Sequence, residues 1–385
     1  MRVLIAPGRY AGLLTAAQAA AALAAGWRQG APHDEVRTLP LADGSGLVEV
    51  LAGALGGQQV VVMITDPLGR PVPATILRVE GVAGAVAFLD GSEALGEHLV
   101  AAHDRDHPAL TTRGLGDLLL AASALDVDRI VVGLSGGVAR DGGAGVLAAL
   151  GVAPAALGRG GLALAEVGEV GAAEVATARA RLAGIDLVVL TDEDLPLLGF
   201  HGVHARGTGQ APMFPSARGQ DLESAVGHFV DLTRRAVGTP DLLTGTIRRL
   251  DQEPGAGAGG GAGYAVLLLG GRRVPGAATV ASLVGLRDAL GAHDLVVTGT
   301  GRFDWAALSA GIVATVAASA GEHAVPAVLV AGESLVGRRE AMNLGLSGTY
   351  TLADAPDERI RLLADPVGVL TDRAVRLART WSPAR

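Results

Sequence analysis

Residues 131–151 read VVGLSGGVARDGGAGVLAALG, and this stretch decides which fold the sequence predicts. Its first residues continue a short apolar, β-branched segment from Arg129, which is typical of a buried strand. Clustered glycines then break the strand, and an amphipathic helix follows. We expect Asp141 to cap that helix, because its carboxylate can accept hydrogen bonds from the free amides of the first turn.

Gly142 and Gly143 leave little side-chain bulk at the start of the predicted helix. Bare amides and the helix dipole favour an anion at such an end, so both glycines are candidate binders of a cofactor phosphate. A tight β–α turn without any ligand has the same pattern, and such turns are common. The motif alone leaves both interpretations open.

The composition of the 385 residues indicates a protein of about two domains with ample core material. Aromatic residues are only 3% of the chain, so Ala, Val and Leu must fill the core. A formal net charge of −8 argues against nucleic acid as a partner. The absence of cysteine excludes disulfides and thiol nucleophiles. Because no apolar run reaches membrane length and no signal-peptide pattern opens the chain, we expect a cytoplasmic protein without a membrane partner.

Lysine is absent from the sequence, and all 31 basic residues are arginine. Mechanisms that need a lysine ammonium on a transferring phosphate, a Schiff base or a lysine general base are therefore excluded. Arginine binds phosphate well and often bidentately, but it does not take up or release a proton at working pH.

Strand-like and helix-like segments alternate at both ends of the chain, which predicts parallel α/β layers. Thr15 is expected to cap an alanine-rich helix, whereas the segments following Gln59 are typical of an antiparallel hairpin and thus of an insertion. We therefore predict an α/β protein of two domains. Residues 1–58 and 265–385 form a Rossmann-like parallel-sheet domain, and residues 59–264 form an inserted mixed α/β domain.

Gly255, Gly257 and Gly260 satisfy the G-x-G-x-x-G spacing of dinucleotide-binding loops. No strand is predicted before them, and the sequence about twenty residues later is GRRVPG rather than an acidic strand end. A structural loop, or a phosphate cradle of another kind, fits this context better than an NAD site.

Acidic residues follow the predicted strand 185–190, where ligands of parallel sheets bind. Asp192 and Asp194 are candidates for holding Mg²⁺ or for orienting a hydroxyl group. A solvated loop with a helix cap explains the same pattern, and spacing alone favours it.

Residues 298–304 are expected to lie just past the end of a strand at 295–297. Arg302 could bind a carboxylate or phosphate there, with Asp304 orienting it, although a surface ion pair is equally consistent. His201 and His204 are three residues apart and lack a third ligand in range, which argues against zinc.

Seven stretches, in order along nearly the whole chain, resemble motifs of the bacterial glycerate kinase family. With the family pattern in parentheses, they are 6–12 (A-P-D-S-F-K-G), 41–44 (M-A-D-G-G-E-G-T), 111–116 (T-T-x-G-x-G), 133–145 (G-I-G-G-S-A-T-N-D-G-G-A-G), 192–199 (D-V-D-N-P-L-T-G), 255–263 (G-A-G-A-A-G-G-L-G) and 298–304 (T-G-E-G-R-I-D).

This resemblance implies a kinase that phosphorylates glycerate or a related small hydroxy acid with ATP and Mg²⁺, in a cleft between two α/β domains. It implies catalytic roles for Asp192, Asp194 and Arg302, with Asp192 also a metal ligand. The residues implied to bind the nucleotide are the glycines of the two glycine-rich turns, Gly142, Gly143, Gly255, Gly257 and Gly260.

The sequence departs from the family at polar positions expected to face that cleft. The family's Asp-Ser-Phe-Lys is 8–11 GRYA here, and its Ser, Thr and Asn before Asp141 are Gly137, Ala139 and Arg140. Leu195 and Leu198 replace the family's Asn and Thr, and Thr300 replaces its Glu. The lysine that the family has shortly after Asp304 would fall near Gly311, where this chain has no lysine. A further family lysine is replaced by Arg218. Candidate substitutes for the lost lysines are Arg9, Arg140 and Arg218.

Loss of several phosphate-binding groups is expected to leave little phosphoryl transfer. Three interpretations follow from the resemblance and its departures. The chain is an impaired glycerate kinase, or a catalytically inactive homologue that binds a ligand or regulates another protein. The third is altered chemistry on a different acidic ligand.

Overall fold

The computed structural model describes residues 1–82, 84–204, 216–238, 245, 247–353 and 355–382. These residues form eleven strands and fourteen α-helices. The strands are β1 (Arg2–Ile5), β2 (Glu35–Thr38), β3 (Gln58–Thr65), β4 (Pro71–Gly81), β5 (Gly84–Asp90), β6 (Arg129–Gly133), β7 (Asp186–Leu190), β8 (Arg272–Val274), β9 (Leu295–Phe303), β10 (Ala327–Ser334) and β11 (Leu346–Thr351).

The helices vary widely in length, and within the described ranges none is both long and apolar enough to cross a membrane. They are α1 (Ala16–Gly30), α2 (Leu47–Leu55), α3 (Ser92–Leu95), α4 (Arg113–Ser123), α5 (Ala144–Ala149), α6 (Ala172–Ala180), α7 (Ser216–Val237), α8 (Ala262–Leu268), α9 (Gly276–Leu283), α10 (Leu286–Gly291), α11 (Ile312–Glu322), α12 (Arg338–Asn343), α13 (Pro356–Ala364) and α14 (Pro366–Trp381).

The first of two compact units comprises Met1–Leu55 and Gly276–Arg385. Its five strands are all parallel and lie in the order β11-β10-β9-β1-β2. Numbered within the unit, this order is 2-1-3-4-5, that of flavodoxin-like doubly wound sheets. In such sheets ligands bind where the strand order reverses, which here lies beside the carboxyl ends of β1 and β9.

Alternation of apolar residues along the central strands places one core on each face of this sheet. Leu4, Val296 and Leu329 pack with α9, α10 and α11 on one face. Val3 and Val328 pack with α1 and α14 on the other. Because both faces are covered, these strands are apolar at nearly every position, as expected for a buried parallel sheet.

The second unit, Gly56–Pro275, contains a six-stranded sheet in the order β3-β4-β5-β6-β7-β8. Strands β3, β4 and β5 are antiparallel, whereas β5 to β8 are parallel. The two sheets together confirm the predicted α/β fold class, including the antiparallel material that follows Gln59. Helix α8 leads directly into β8, which pairs with β7.

Local sequence signals account for several of these elements. The predicted cap at Thr15 is confirmed, because its hydroxyl accepts from Gln18 N and Gln18 Oε1 accepts from Thr15 N. This reciprocal capping box fixes where α1 begins. The hairpin is confirmed as well, with Val60 of β3 opposite Ile76 of β4.

Strand β9 differs from the sequence prediction, which ended it at Val297. The strand continues to Phe303, and Thr300 and Arg302 pair with Ala331 and Glu333 of β10. The glycines of 298–304 look like turn residues in sequence, but pairing with a neighbouring strand outweighs that local preference. Arg302 therefore lies on a strand and not in a loop.

Helix α5 also begins later than predicted. Gly142 and Gly143 have φ values of 62° and 81°, in the left-handed region, so the helix starts only at Ala144. The cap position is Gly143, and the assignment of Asp141 to it was wrong by two residues. The carboxylate nevertheless accepts from the amides of Gly143 and Gly145, at 3.0 and 3.1 Å, as a capping group would.

The Asp141 carboxylate is fully buried in the second unit and also accepts bonds from a second segment of chain. Thr111 Oγ1 donates at 3.0 Å, Thr112 N at 2.8 Å and Thr112 Oγ1 at 2.9 Å. Burial raises the pKa of Asp141, and the hydrogen bonds from Thr112, Thr111 and Gly145 oppose that rise. One acid thus joins the loop after β6 to the start of α4.

We expect Asp141→Ala to lower the free energy of unfolding by about 3–5 kcal/mol, because backbone amides and hydroxyls in the interior would lose their acceptor. Urea denaturation measures the change. The control is Asp231→Asn, which removes only an exposed ion pair with Arg234 and should cost less than about 1 kcal/mol. Equal urea midpoints for the two variants would contradict a stabilising role for the Asp141 network.

Candidate active site

Three loops of the second unit lie together at the carboxyl ends of β6 and β7. They are residues 134–143 after β6, 191–197 after β7, and 255–261 before α8. Leu134 N donates to Leu190 O at 2.9 Å, and Gly257 N donates to Leu195 O at 2.9 Å. Because ligands of parallel sheets bind at this edge, the three loops form the candidate site of the unit.

The five glycines predicted to bind a nucleotide are all buried in the packing between these loops. A Cβ on Gly143 would lie 2.5 Å from Gly261 O, and one on Gly260 would lie 1.8 Å from Ala139 O. Cβ atoms on the remaining three glycines would also be close to other atoms. A Cβ on Gly142 would lie 2.8 Å from Val226 Cγ1, one on Gly255 would lie 3.0 Å from Arg273 Cδ, and one on Gly257 would lie 2.6 Å from Pro196 O. Close backbone packing therefore requires glycine at 143, 257 and 260 whether or not a phosphate binds, whereas Gly142 and Gly255 face side-chain atoms.

The acidic residues after β7 differ in their surroundings. Asp192 is partly buried, whereas Asp194 is exposed and forms an ion pair with Arg273 Nη1 at 3.0 Å. Between them, Glu193 accepts a hydrogen bond from Gly136 N of the loop after β6. The sequence pattern did not indicate Arg273 as a partner, because it lies about eighty residues further along the chain.

The described residues contain no group of three His, Cys, Asp or Glu side chains arranged to hold a metal ion. His204, considered above as a zinc ligand, instead forms a hydrogen bond between its Nδ1 and Glu223 Oε2 at 2.9 Å. A magnesium ion needs only one or two carboxylates when phosphate oxygens and water complete its shell. The described residues therefore provide no complete metal cage, and a magnesium ion bound among them would need oxygen ligands from a phosphate and water.

Arg140 belongs to the loop after β6 and is buried there, with 5% of its surface exposed. Its Nη1 donates to Gly137 O and Ala139 O, both at 2.6 Å, and Nε has no hydrogen-bond partner. Burial lowers the pKa of Arg140 to about 10, while the charges of Glu193 and Glu97 act in the opposite direction. At this pKa the guanidinium is still charged at neutral pH.

In the first unit, the loop after β1 has Gly8 where the family has an acid, and a side chain at this position would require the terminal methyl group of Ile312 to shift. A Cβ on Gly8 would lie 2.5 Å from Ile312 Cδ1, at the first residue of α11. The neighbouring Arg9 is exposed, and Tyr10 is buried with its hydroxyl donating to Val330 O at 2.7 Å. Burial raises the pKa of Tyr10. Apolar packing thus occupies the place where the family carries a carboxylate.

Arg302 and Asp304 form a partly exposed ion pair, with Arg302 Nε 3.5 Å from Asp304 Oδ2. Asp304 Oδ1 also accepts from Ala306 N at 3.1 Å, which fixes the turn after β9. The buried Nε of Arg302 has no hydrogen bond of its own. The surface ion pair considered from the sequence is present, and the guanidinium lies near the carboxyl end of β9, where such sheets bind ligands.

Comparisons with known proteins extend over nearly the whole chain. A family model described as the glycerate kinase family matches residues 3–382. The chain is 33% identical over 345 residues to the glycerate kinase of Bacillus subtilis, covering 86% of this chain and 85% of the relative. It is 30% identical over 341 residues to the glycerate 2-kinase of Escherichia coli, covering 86% and 85%.

A solved structure gives the same result at the level of the fold. It is described as a glycerate kinase 2 from Salmonella typhimurium LT2, and it aligns with a TM-score of 0.71 and 28% sequence identity. The alignment covers 99% of this chain and 98% of that one. With a family match from residue 3 to 382 and named kinases at 30% identity or more, the chain belongs to the glycerate kinase family.

Proposed function

We propose that this protein transfers the γ-phosphoryl group of ATP to a hydroxyl oxygen of glycerate or a related small hydroxy acid, slowly. The bond from the γ-phosphorus to the acid's hydroxyl oxygen forms, the bond from the γ-phosphorus to the β–γ bridging oxygen breaks, ADP leaves, and the hydroxyl proton passes to water. Family membership supports the reaction class. The slow rate is proposed because several polar groups that the family places around the reactants are replaced here, some by glycine or apolar residues and others by arginine or threonine.

The observation that carries the impairment is that Gly8, Arg9 and Ala11 stand where the family has an acid, a hydroxyl and a lysine. A carboxylate at position 8 would have to displace Ile312 Cδ1, only 2.5 Å from the Cβ position. Ala139 is fully buried and Leu195 is half-buried where the family has Thr and Asn. Neither side chain can supply the hydrogen bond that the family residue offers at that position.

We assign roles to the candidate residues within this proposal. Asp192 would hold Mg²⁺, which when bound neutralises the charge of the nucleotide phosphates. Asp194 would orient the acceptor hydroxyl, and Arg302 would bind the carboxylate or phosphate. The loops containing Gly142–Gly143 and 255–260 would shape the nucleotide site, since their glycines are needed for its packing.

The alternative is a catalytically inactive homologue that binds a ligand or regulates another protein. The ion pair between Asp194 and Arg273 favours it, because a carboxylate held in that pair is less suited to act on a hydroxyl group. Calorimetry with ATP separates the two: absence of nucleotide binding would remove both the kinase and an ATP sensor. Binding without turnover would favour the inactive homologue.

We expect a coupled ADP-release assay with D-glycerate, ATP and Mg²⁺ to give turnover at least about 100-fold below the 1–100 s⁻¹ typical of kinases. Loss of one charge-stabilising group costs about 10²–10³ in rate, and several are missing. The control omits D-glycerate, which measures background ATP hydrolysis. Turnover within the ordinary kinase range would contradict the proposed impairment.

Replacing the two acids separately should affect the residual rate unequally. We expect Asp192→Asn to lower kcat by about 100-fold and to raise the Mg²⁺ concentration needed for half-maximal rate, because a metal ligand is lost. Asp194→Asn should lower kcat by about 10-fold without changing the Mg²⁺ dependence. An Asp192→Asn variant with unchanged Mg²⁺ dependence would remove the metal assignment.

Restoring family residues should raise the rate if the impairment arises at the loop after β1. We expect the triple variant Gly8→Asp, Ala11→Lys, Ile312→Ala to exceed the natural protein by at least about 10-fold in the same assay. Gly8→Asp alone should lower the melting temperature and give no gain, because Ile312 occupies the space. A folded triple variant with unchanged rate would place the cause elsewhere.

A further inference from the structure

A cavity of about 330 Å³ lies in the second unit, and this volume is within the range of small-molecule sites. Helix α6 contributes Arg179 to its walls, the last turn of α7 contributes Arg234, and α8 contributes Tyr264 and Leu267. The lining also includes Arg248, whose side chain is 57% exposed. The cavity therefore opens to solvent, and a small molecule can enter it.

The cavity extends away from the candidate active site. Helix α8 begins beside the loop 255–261 and ends at Leu268, after which Gly270 and Gly271 lead into β8. Because β8 is parallel to β7, its first residue lies toward the amino edge of the sheet. Gly270 and Gly271 line the cavity, so this wall is separated from the glycine-rich loop by the length of α8, about 10 Å for seven residues.

Positive charge exceeds negative charge along the walls. Among the described lining residues, three carry guanidinium groups, namely Arg179, Arg234 and Arg248, and only Asp251 carries a carboxylate. The charge of Asp251 is already balanced outside this set, because its two oxygens accept from Nε and Nη2 of Arg249 at 3.0 and 2.8 Å. The cavity therefore favours an anionic ligand over a neutral or cationic one.

Arg179 is the cation best placed to hold that anion. Arg234 pairs with Asp231 at 2.7 Å, at the outer surface of α7. Within the described part of the chain, Arg179 has one hydrogen bond, from its Nε to Leu268 O at 2.7 Å, and no carboxylate partner. That bond orients the guanidinium and leaves Nη1 and Nη2 to donate to a carboxylate or phosphate oxygen.

Stabilisation of helix ends explains part of this arrangement but not the open volume. Arginines near the carboxyl ends of α7 and α8 offset the negative ends of the helix dipoles, and the bond from Arg179 to Leu268 O does so directly. That role does not require a cavity. Val237, Leu250 and Leu267 are only partly buried and give the same cavity apolar walls. Apolar walls with a few donors are typical of a site for an organic ligand.

We propose that this cavity binds a small organic anion, whose carboxylate or phosphate lies on Arg179 and Arg234 and whose apolar body lies on the leucine side chains. The site is separate from the residues assigned to ATP and the hydroxy acid, and it does not rest on the proposed kinase activity. Tyr264 in its wall donates its backbone amide to Ala256 O at 2.9 Å. A ligand bound here therefore restrains the helix to which the glycine-rich loop is attached.

The test is isothermal titration calorimetry with four probes, namely phenyl phosphate, benzoate, benzyl alcohol and inorganic phosphate. The first two carry different anionic groups on the same ring, benzyl alcohol lacks the charge, and inorganic phosphate lacks the apolar body. We expect phenyl phosphate or benzoate to bind at least about 10-fold more tightly than benzyl alcohol and inorganic phosphate. The tighter of the two anions identifies the head group that the site prefers.

Variants locate the binding on the protein. Arg179→Gln should weaken binding of the preferred anion by about 10-fold or more, and Arg234→Gln by about 3- to 10-fold. Both side chains are partly exposed, so both variants should fold, which thermal melts confirm. The matched control is Arg159→Gln, because Arg159 is not a lining residue and forms an exposed ion pair with Glu166 at 2.8 Å. It should bind the anion like the natural protein.

Arg302→Gln distinguishes this cavity from the candidate active site, and it should leave binding of the preferred anion unchanged. Four outcomes would overturn the proposal. They are no binding of either aromatic anion at up to about 10 mM, benzyl alcohol binding as tightly as the anions, unchanged binding in both folded cavity variants, and loss of binding in Arg302→Gln alone. Binding that Arg179→Gln loses and Arg302→Gln keeps supports the cavity whether or not the protein releases ADP.

Discussion

The buried carboxylate of Asp141 joins two segments of the second unit by accepting hydrogen bonds from both. Asp141 has its donors on two segments, Thr111–Thr112 before α4 and Gly143–Gly145 at the start of α5. Thr111 N in turn donates to Pro67 O in the turn between β3 and β4. The position of the glycine-rich loop, and of everything packed on it, follows from satisfying this one acid.

Glycine has a packing role around that acid. Where the loop after β6 crosses the segment before α8, backbone lies directly on backbone, and Gly260 leaves no room for a Cβ beside Ala139 O. This close approach of backbone segments also allows a core with few aromatic residues, since small side chains leave little space between segments to be filled. Retention of the glycine motifs is therefore a consequence of the fold, and it is compatible with both strong and weak catalysis.

The chain combines that preserved scaffold with an altered set of polar groups. Ile312 fills the space beside Gly8, and Ala139 lies in the interior where a hydroxyl stands in the family pattern. The cation at Arg140 is enclosed and bonded to the backbone on one side only. An arginine retains its charge in such a place because even its lowered pKa, about 10, is far above neutrality. Because arginine takes the place of lysine throughout this chain, its guanidinium groups can still bind anions, but they cannot take up or release protons at neutral pH.

Patterns along the sequence were sufficient for elements whose signals are local. The capping box at Thr15, the apolar alternation of the central strands and the hairpin from β3 to β4 each depend on neighbours a few residues apart. The family itself could be recognised because its glycine motifs occur in order. The fold class followed from the same features.

Contacts between distant segments decided the rest. Strand β9 extends to Phe303 because β10 offers a partner, and Asp194 pairs with Arg273 because β8 lies beside β7. The burial of Arg140 and the filling of the space at Gly8 likewise involve residues far apart in sequence. The sequence alone thus determined the local elements and the family, since both depend on short-range patterns. Only the tertiary structure decided which polar groups are enclosed, paired or displaced, because burial and charge pairing depend on what the folded chain brings together.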